Sequence, residues 1–163
     1  MGLPGEVLTG RSEFDNSTYV QLVPVWCETK LGMGLYQNSK SQGDLWLLTV
    51  EVMGAHTIER YNSLQINIDD KIYTFDSISK QTHMKTHPGY SDYRLHYYRS
   101  AYNTSSRNYL VTDEFLEKIA NSKKMIVRVI FTDGGVEADC TCSLGQCVQR
   151  TFRGFYNKYI KKH

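Results

Sequence analysis

Apolar and polar residues alternate through the first three-quarters of the chain, the period expected of half-buried strands. Trp46, Leu48, Val50 and Val52 alternate with Leu47, Thr49 and Glu51. Leu64, Ile66 and Ile68 alternate with Gln65, Asn67 and Asp69, and the β-rich run Ile72-Tyr73-Thr74-Phe75 follows at once. Two such runs around Asp69-Asp70-Lys71 predict a hairpin with a tight acidic turn. Met125 to Phe131 is rich in β-branched residues, and Asp133-Gly134-Gly135 turns it into a Val136–Cys142 strand. Tyr19 to Trp26 and Leu31 to Tyr36 are further strands, with Pro24 demanding an edge or a bulge in the first. The pattern predicts six to eight strands.

Two segments change to helical spacing. Thr112-Asp113-Glu114 supplies a capping Thr and first-turn acids for a short helix that buries Phe115, Leu116 and Ile119. Ser143-Leu144-Gly145-Gln146 reads as a capping box before a C-terminal helix. Leu144, Val148, Phe152, Phe155 and Tyr159 would form its core-facing stripe, with Lys158, Lys161 and Lys162 at the dipole's negative end. Strands, then helix, hairpin and helix, without linker or repeat, predict one α+β domain over residues 1–163: a mainly antiparallel, β-sandwich-like sheet with two helices.

A length of 163 residues supports a core without metals or staples, and 40% hydrophobic with 22% charged residues excludes a disordered chain. The longest wholly apolar run, Leu45 to Leu48, is far short of the ~18 residues of a membrane span. The opening Met-Gly-Leu-Pro-Gly-Glu has no basic region and no apolar run, so it reads as lacking a signal peptide.

The cysteines bear on compartment. Val136, Ala138, Cys140 and Cys142 share one strand face, and Val25 and Cys27 share another. Two core-facing segments that both carry Cys predict a disulfide from Cys27 to Cys140 or Cys142, with Cys147 taking the remaining partner. Cys-x-Cys-x4-Cys lacks the Cys-x-x-Cys knuckle of a zinc site, so disulfides and an oxidising compartment are preferred over metal. Cytoplasm with four buried thiols is the alternative.

Catalytic signatures are missing: the chain has no GxSxG, Walker loop, GxGxxG, HExxH or EF-hand loop. Neither a cofactor nor a resident metal is expected. His83-Met84-Lys85-Thr86-His87 is read as a surface loop rather than a metal site, because Pro88-Gly89 follows it. Asn16-Ser17-Thr18 and Asn103-Thr104-Ser105 are glycosylation sequons in a eukaryotic setting.

Charge is unevenly laid out. All 17 acids lie at or before Asp139, while Arg150, Arg153, Lys158, Lys161 and Lys162 follow it. Residues 77–111 hold Lys80, Lys85, Arg94, Arg99 and Arg107 against Asp92 alone, interleaved with Tyr90, Tyr93, Tyr97, Tyr98, Tyr102 and Tyr109. Arginine among tyrosines can stack bases, sugars or peptide rings, so Tyr93, Arg94, Tyr97, Arg99 and Tyr102 form the candidate ligand surface. A hairpin with ordinary cross-strand aromatic pairs accounts for the same composition and is preferred.

The chain combines Leu8-Thr9-Gly10-Arg11-Ser12-Glu13-Phe14-Asp15-Asn16, Asn67-Ile68-Asp69-Asp70-Lys71-Ile72-Tyr73, Tyr109-Leu110-Val111 before the Phe115–Ile119 helix, and Phe152-Arg153-Gly154-Phe155-Tyr156. In combination they resemble small, poorly characterised bacterial envelope proteins, many of them lipoproteins. The resemblance implies a non-enzymatic binding or structural module of the cell envelope or periplasm, partnered by an envelope component or protein. Membrane contact would run only through a lipid anchor that this chain does not carry. The rival is a cytosolic nucleic-acid or anionic-ligand binder using residues 77–111 and the basic C-terminal tail. Nucleic acid is not the preferred partner, since no motif supports it.

Overall fold

Burial follows the alternation. In the computed structural model, which describes residues 2–40, 43–142 and 147–161, Trp46, Leu48, Val50 and Val52 are all buried. They lie on β4 (Leu45–Met53), inside a sheet built from β1 (Val7–Arg11), β2 (Thr18–Cys27) and β3 (Leu31–Asn38) on one side. On the other side lie β10 (Tyr102–Thr112) and then β7 (His83–His87). A second sheet has the order β12 (Gly134–Asp139), β11 (Met125–Phe131), β5 (Leu64–Ile68) and β6 (Lys71–Phe75). Between β7 and β10 stands a two-stranded hairpin, β8 (Tyr90–Asp92) with β9 (Tyr97–Arg99). Every ladder is antiparallel.

The inward faces of the two larger sheets feed one core. Leu22, Leu31, Met33, Leu48 and Tyr109 come from the first; Leu64, Ile66, Met125, Val127 and Val129 come from the second. Each fully buried aliphatic side chain among them stabilises the fold by roughly 1.5–3 kcal/mol relative to exposure. Two helices cover one end of this core: α1 (Asp113–Ala120) and α2 (Val148–Phe155). They pack on each other, α2 also rests against β2, and Phe155 meets Trp46 edge-on at 5.3 Å. The expected antiparallel α+β sandwich is the observed architecture.

Twelve strands among the described residues exceed the six to eight expected. The additions are β1, β7, β8, β9 and β10: the first four are short or at an edge and bury too little to show an apolar period, whereas β10 is long and interior but starts its inward row with the polar Ser105 and Arg107 before Tyr109 and Val111. The clearest correction is His83–His87, expected as a loop. It is the edge strand β7, paired with β10 from Tyr102↔His87 to Ser106↔His83. Gly134 and Gly135 belong to β12 rather than to the turn before it.

Local chemistry explains the turns and the bulge. Asp69 and Asp70 both have left-handed φ, 50° and 71°, as a two-residue hairpin turn of the favoured twist requires. The Asp69 carboxylate also accepts the N–H groups of Lys123 and Lys124 at 2.9 and 2.8 Å, which ties the turn to the start of β11. Pro24 sits where the β2–β3 register shifts between Leu22 and Val25. The prediction of a bulge is met, and it falls in an interior strand.

Thr112 caps α1, its hydroxyl accepting from the Phe115 N–H at 3.1 Å. Side chains of α2 finish the other end of α1. Arg153 donates to the carbonyls of Ala120 and Ser122, and the buried Gln149 donates to the Ser122 carbonyl and hydroxyl. The expected capping box, Ser143 to Gln146, and Leu144 of the stripe lie outside the described residues, as do Lys162 and His163. The rest of the stripe needs one change. Val148, Phe152 and Phe155 are buried, but Tyr156–Ile160 forms a π-turn in which the Lys161 N–H reaches the Tyr156 carbonyl. One added residue per turn hands the inward position to Ile160 and leaves Tyr159 exposed.

All four cysteines are paired, Cys27 with Cys140 and Cys142 with Cys147. The first joins the end of β2 in one sheet to the residue after β12 in the other. Paired cysteines point to an oxidising, extracytoplasmic environment. Among the described residues no helix is long and apolar enough to cross a membrane.

Candidate functional site

Strand parity turns Trp26 outward, because its neighbours Val25 and Cys27 are buried in the core. Opposite it on β3 is Gly32, whose missing side chain lets the indole lie flat over the strand. A Cβ at Gly32 would stand 2.9 Å from the Trp26 ring. Gly32 is paired in turn with Glu51 of β4, so indole and carboxylate are brought side by side across three strands. Met53, two residues along, faces the same way.

The opposite wall comes from β7, β9 and β10. Tyr102 pairs with His87, and their rings stack at 4.4 Å, 5° from parallel. The His87 Nε2 lies 3.1 Å from the Thr104 hydroxyl, which fixes the imidazole. The Arg99 guanidinium sits 4.4 Å from the Tyr102 centroid, a cation–π arrangement. Together with Pro4 and Thr29 these side chains line an open groove of about 390 Å³, a volume typical of small-ligand sites.

Neither charge of this groove has an ion-pair partner among the described residues. Among the described residues Arg99 makes no salt bridge and no side-chain hydrogen bond, and neither does Glu51. The surface ion pairs elsewhere join Lys30 to Glu28, Lys40 to Asp15, Lys118 to Glu114, Lys124 to Asp70 and Arg128 to Glu137. One end of the groove therefore offers an indole face beside a carboxylate, and the other a guanidinium fork.

The five residues expected to form a ligand surface do not act as one. Arg99 and Tyr102 line the groove. Tyr93, 90% exposed, lines a separate depression of about 360 Å³ with Ser91, Asp92, His96 and Tyr98. Arg94 is in the turn of the β8–β9 hairpin, its backbone N–H bound to the Asp92 carboxylate. The side chain of Tyr97 lies outside the described residues. Tyr90–Arg99 does form a hairpin, but it sets Tyr90 opposite Arg99 and Ser91 opposite Tyr98 rather than making the aromatic cross-strand pairs expected.

Two members of the basic, tyrosine-rich stretch are not on the surface at all. Arg107 is 6% exposed and donates to the carbonyls of Ile58 and Ser79 at 2.8 and 2.6 Å. Tyr109 is fully buried, its hydroxyl 2.6 Å from that of Ser63. Burial pushes the Tyr109 phenol above its ordinary range, against smaller opposite pulls from Ser63 and Arg107. The most perturbed carboxylate is far from the groove: Lys40 and then Ser17 hold Asp15 well below the usual range.

Sequence reasoning missed Trp26, Glu51, Met53 and His87 as site residues. A usable signal existed for Trp26, an aromatic placed outward between two core residues. Glu51 and His87 gave none, because a polar residue on an outward strand position is the default. Among the described residues no group of three or more His, Cys, Asp or Glu side chains could hold a metal ion. No family model, curated protein or solved structure matches the chain.

Proposed function

We propose that the chain is a non-enzymatic binding domain of the bacterial cell envelope, working in the periplasm or at the envelope surface. Its ligand site is the groove between Trp26 and Tyr102. The observation that carries this reading is the pair of charges without an ion-pair partner, Glu51 and Arg99, lining one groove with an outward-facing tryptophan. Desolvating such groups without a partner is costly, so a bound ligand that supplies the partner gains much of its affinity there. The imidazole of the groove is held for shape: His87 is stacked on Tyr102 and bonded to Thr104. Two disulfides support an extracytoplasmic setting.

The layout of charge favours this reading over a nucleic-acid binder. The hairpin stands at the Tyr102 end of β10 and the C-terminal helix at its Thr112 end, across eleven residues or about 35 Å of strand. Arg107 is buried and Arg153 is occupied at the end of α1, so neither extends a cationic surface between the two segments. The test uses the two tryptophans. Trp46 is 3% exposed and Trp26 is not buried, so collisional quenching of fluorescence reports on the groove. A panel of envelope solutes should protect Trp26 from quenching, and Trp26→Phe should abolish the response. Single-stranded DNA should bind weakly and be released by ~0.2 M salt. Tight salt-resistant DNA binding with an unresponsive Trp26 would overturn the proposal.

A further inference from the structure

Resting on that reading, we infer that the ligand is a small zwitterion, carrying an ammonium at one end and a phosphate or carboxylate at the other. The argument starts from Trp26. Its indole covers Gly32 and lines the groove, and the same Gly32 is paired on its other side with Glu51 of β4. An aromatic face beside an anion is the combination that recognises a substituted ammonium, through the ring quadrupole and direct charge. At the far end Arg99 spends its π surface on Tyr102 and keeps its N–H edge. That edge is a planar fork suited to two oxygens of a phosphate or carboxylate.

The two charges lie in one groove yet form no salt bridge with each other, so a ligand must answer both. A purely anionic ligand would leave Glu51 repelling it, and a purely cationic one would meet Arg99 with the same penalty. A neutral sugar would hydrogen-bond both groups and neutralise neither. Met53 and Pro4 add apolar surface for the linking methylenes. Tyr102, already claimed by His87 and Arg99, has little ring surface left for stacking, so the ammonium belongs at Trp26.

The experiment uses the oxidised full chain, Trp26 fluorescence and three probes: phosphocholine, choline and inorganic phosphate. Phosphocholine should bind at least 10-fold more tightly than either half. Glu51→Gln should weaken choline and phosphocholine by about 10-fold or more while leaving or improving phosphate; Arg99→Gln should weaken phosphocholine and phosphate and spare choline. Such factors correspond to one charge-assisted contact each. Both side chains lie on the surface, and unchanged melting curves will show that the variants fold. Phosphatidylcholine vesicles that co-sediment the protein, competed by soluble phosphocholine, would assign the source to a lipid headgroup; binding of soluble phosphocholine alone would assign a free solute. Either supports the inference. If a neutral sugar protects Trp26 and phosphocholine does not, the zwitterion is wrong and the groove stands. If no solute of any class protects Trp26, the groove falls with it.

Discussion

Arg107 faces the inner side of a strand, where an aliphatic residue would be expected, and its role follows from what it bonds. Its guanidinium satisfies the carbonyls of Ile58 and Ser79, on the long connections before and after the second sheet's first hairpin. Asn108 extends the same seam, accepting from the Ile78 N–H and donating its own to the Ser79 hydroxyl. Arg107→Ala would open a void and leave the Ile58 and Ser79 carbonyls only the longer bonds from the Thr82 and Ser77 hydroxyls, at 3.3 and 3.5 Å, so we expect a loss of about 2–4 kcal/mol in urea unfolding. Arg107→Lys, which keeps charge without the fork, should recover only part of it. Next to it, Tyr109 makes stability depend on alkaline pH. Its folded-state pKa is raised, so its contribution is intact below the unfolded value of about 10 and is lost as pH rises beyond it. Tyr109→Phe should flatten the fall in melting temperature above pH 10, at the cost of about 1–2 kcal/mol at neutral pH for the unpaired Ser63 hydroxyl. An unchanged alkaline slope would place the titrating group elsewhere.

Elements that bury one face were legible because a period of two or of about 3.6 is local information. The strands around Trp46, Leu64 and Met125 and the helix after Thr112 all had it. β7 did not. Its Met84 is 51% exposed and it pairs along only one edge, so nothing in His83–His87 distinguishes strand from loop until β10 is beside it. The same limit hid the groove, since Trp26, Glu51 and Tyr102 meet only through the order β2-β3-β4-β10, which is a property of pairing rather than of any segment. The C-terminal stripe fails differently. Its spacing assumed an unbroken α-helix, and the π-turn at Tyr156–Ile160 exchanges Tyr159 for Ile160. The consequence is measurable. Phe152→Ala should cost about 3–5 kcal/mol and Ile160→Ala about 2–3, whereas Tyr159→Ala, which loses only a partly exposed ring packed on Phe155, should cost about 1 kcal/mol. A Tyr159→Ala penalty equal to that at Ile160 would mean that the helix continues in regular α form in solution.

At the scale of the molecule, the two sheets share a core but no continuous ladder, and the Cys27–Cys140 bond is the covalent joint between them. Its position follows from parity: Cys27 continues the inward row of β2 through Leu22 and Val25, and Cys140 continues that of β12 through Ala138. The bond separates residues 113 apart in sequence, whereas Cys142–Cys147 spans 5. Chain-entropy arguments weight the two very unequally. Closing the long loop restricts the unfolded chain by about 4–5 kcal/mol, and closing the short one by about 2 kcal/mol. Both bonds should appear in native protein as a mass deficit of about four hydrogens against the reduced chain. Replacing Cys27 and Cys140 together by Ala should then lower stability roughly twice as much as replacing Cys142 and Cys147. The long bond's loss should also loosen the seam where the Asp139 N–H meets the Glu28 carboxylate, at 3.2 Å. Hydrogen exchange in β2 and β12 should therefore accelerate together in the first variant and stay slow in the second. Equal losses in the two variants would show that the sheets are held by their common core alone, with the long bond redundant to it.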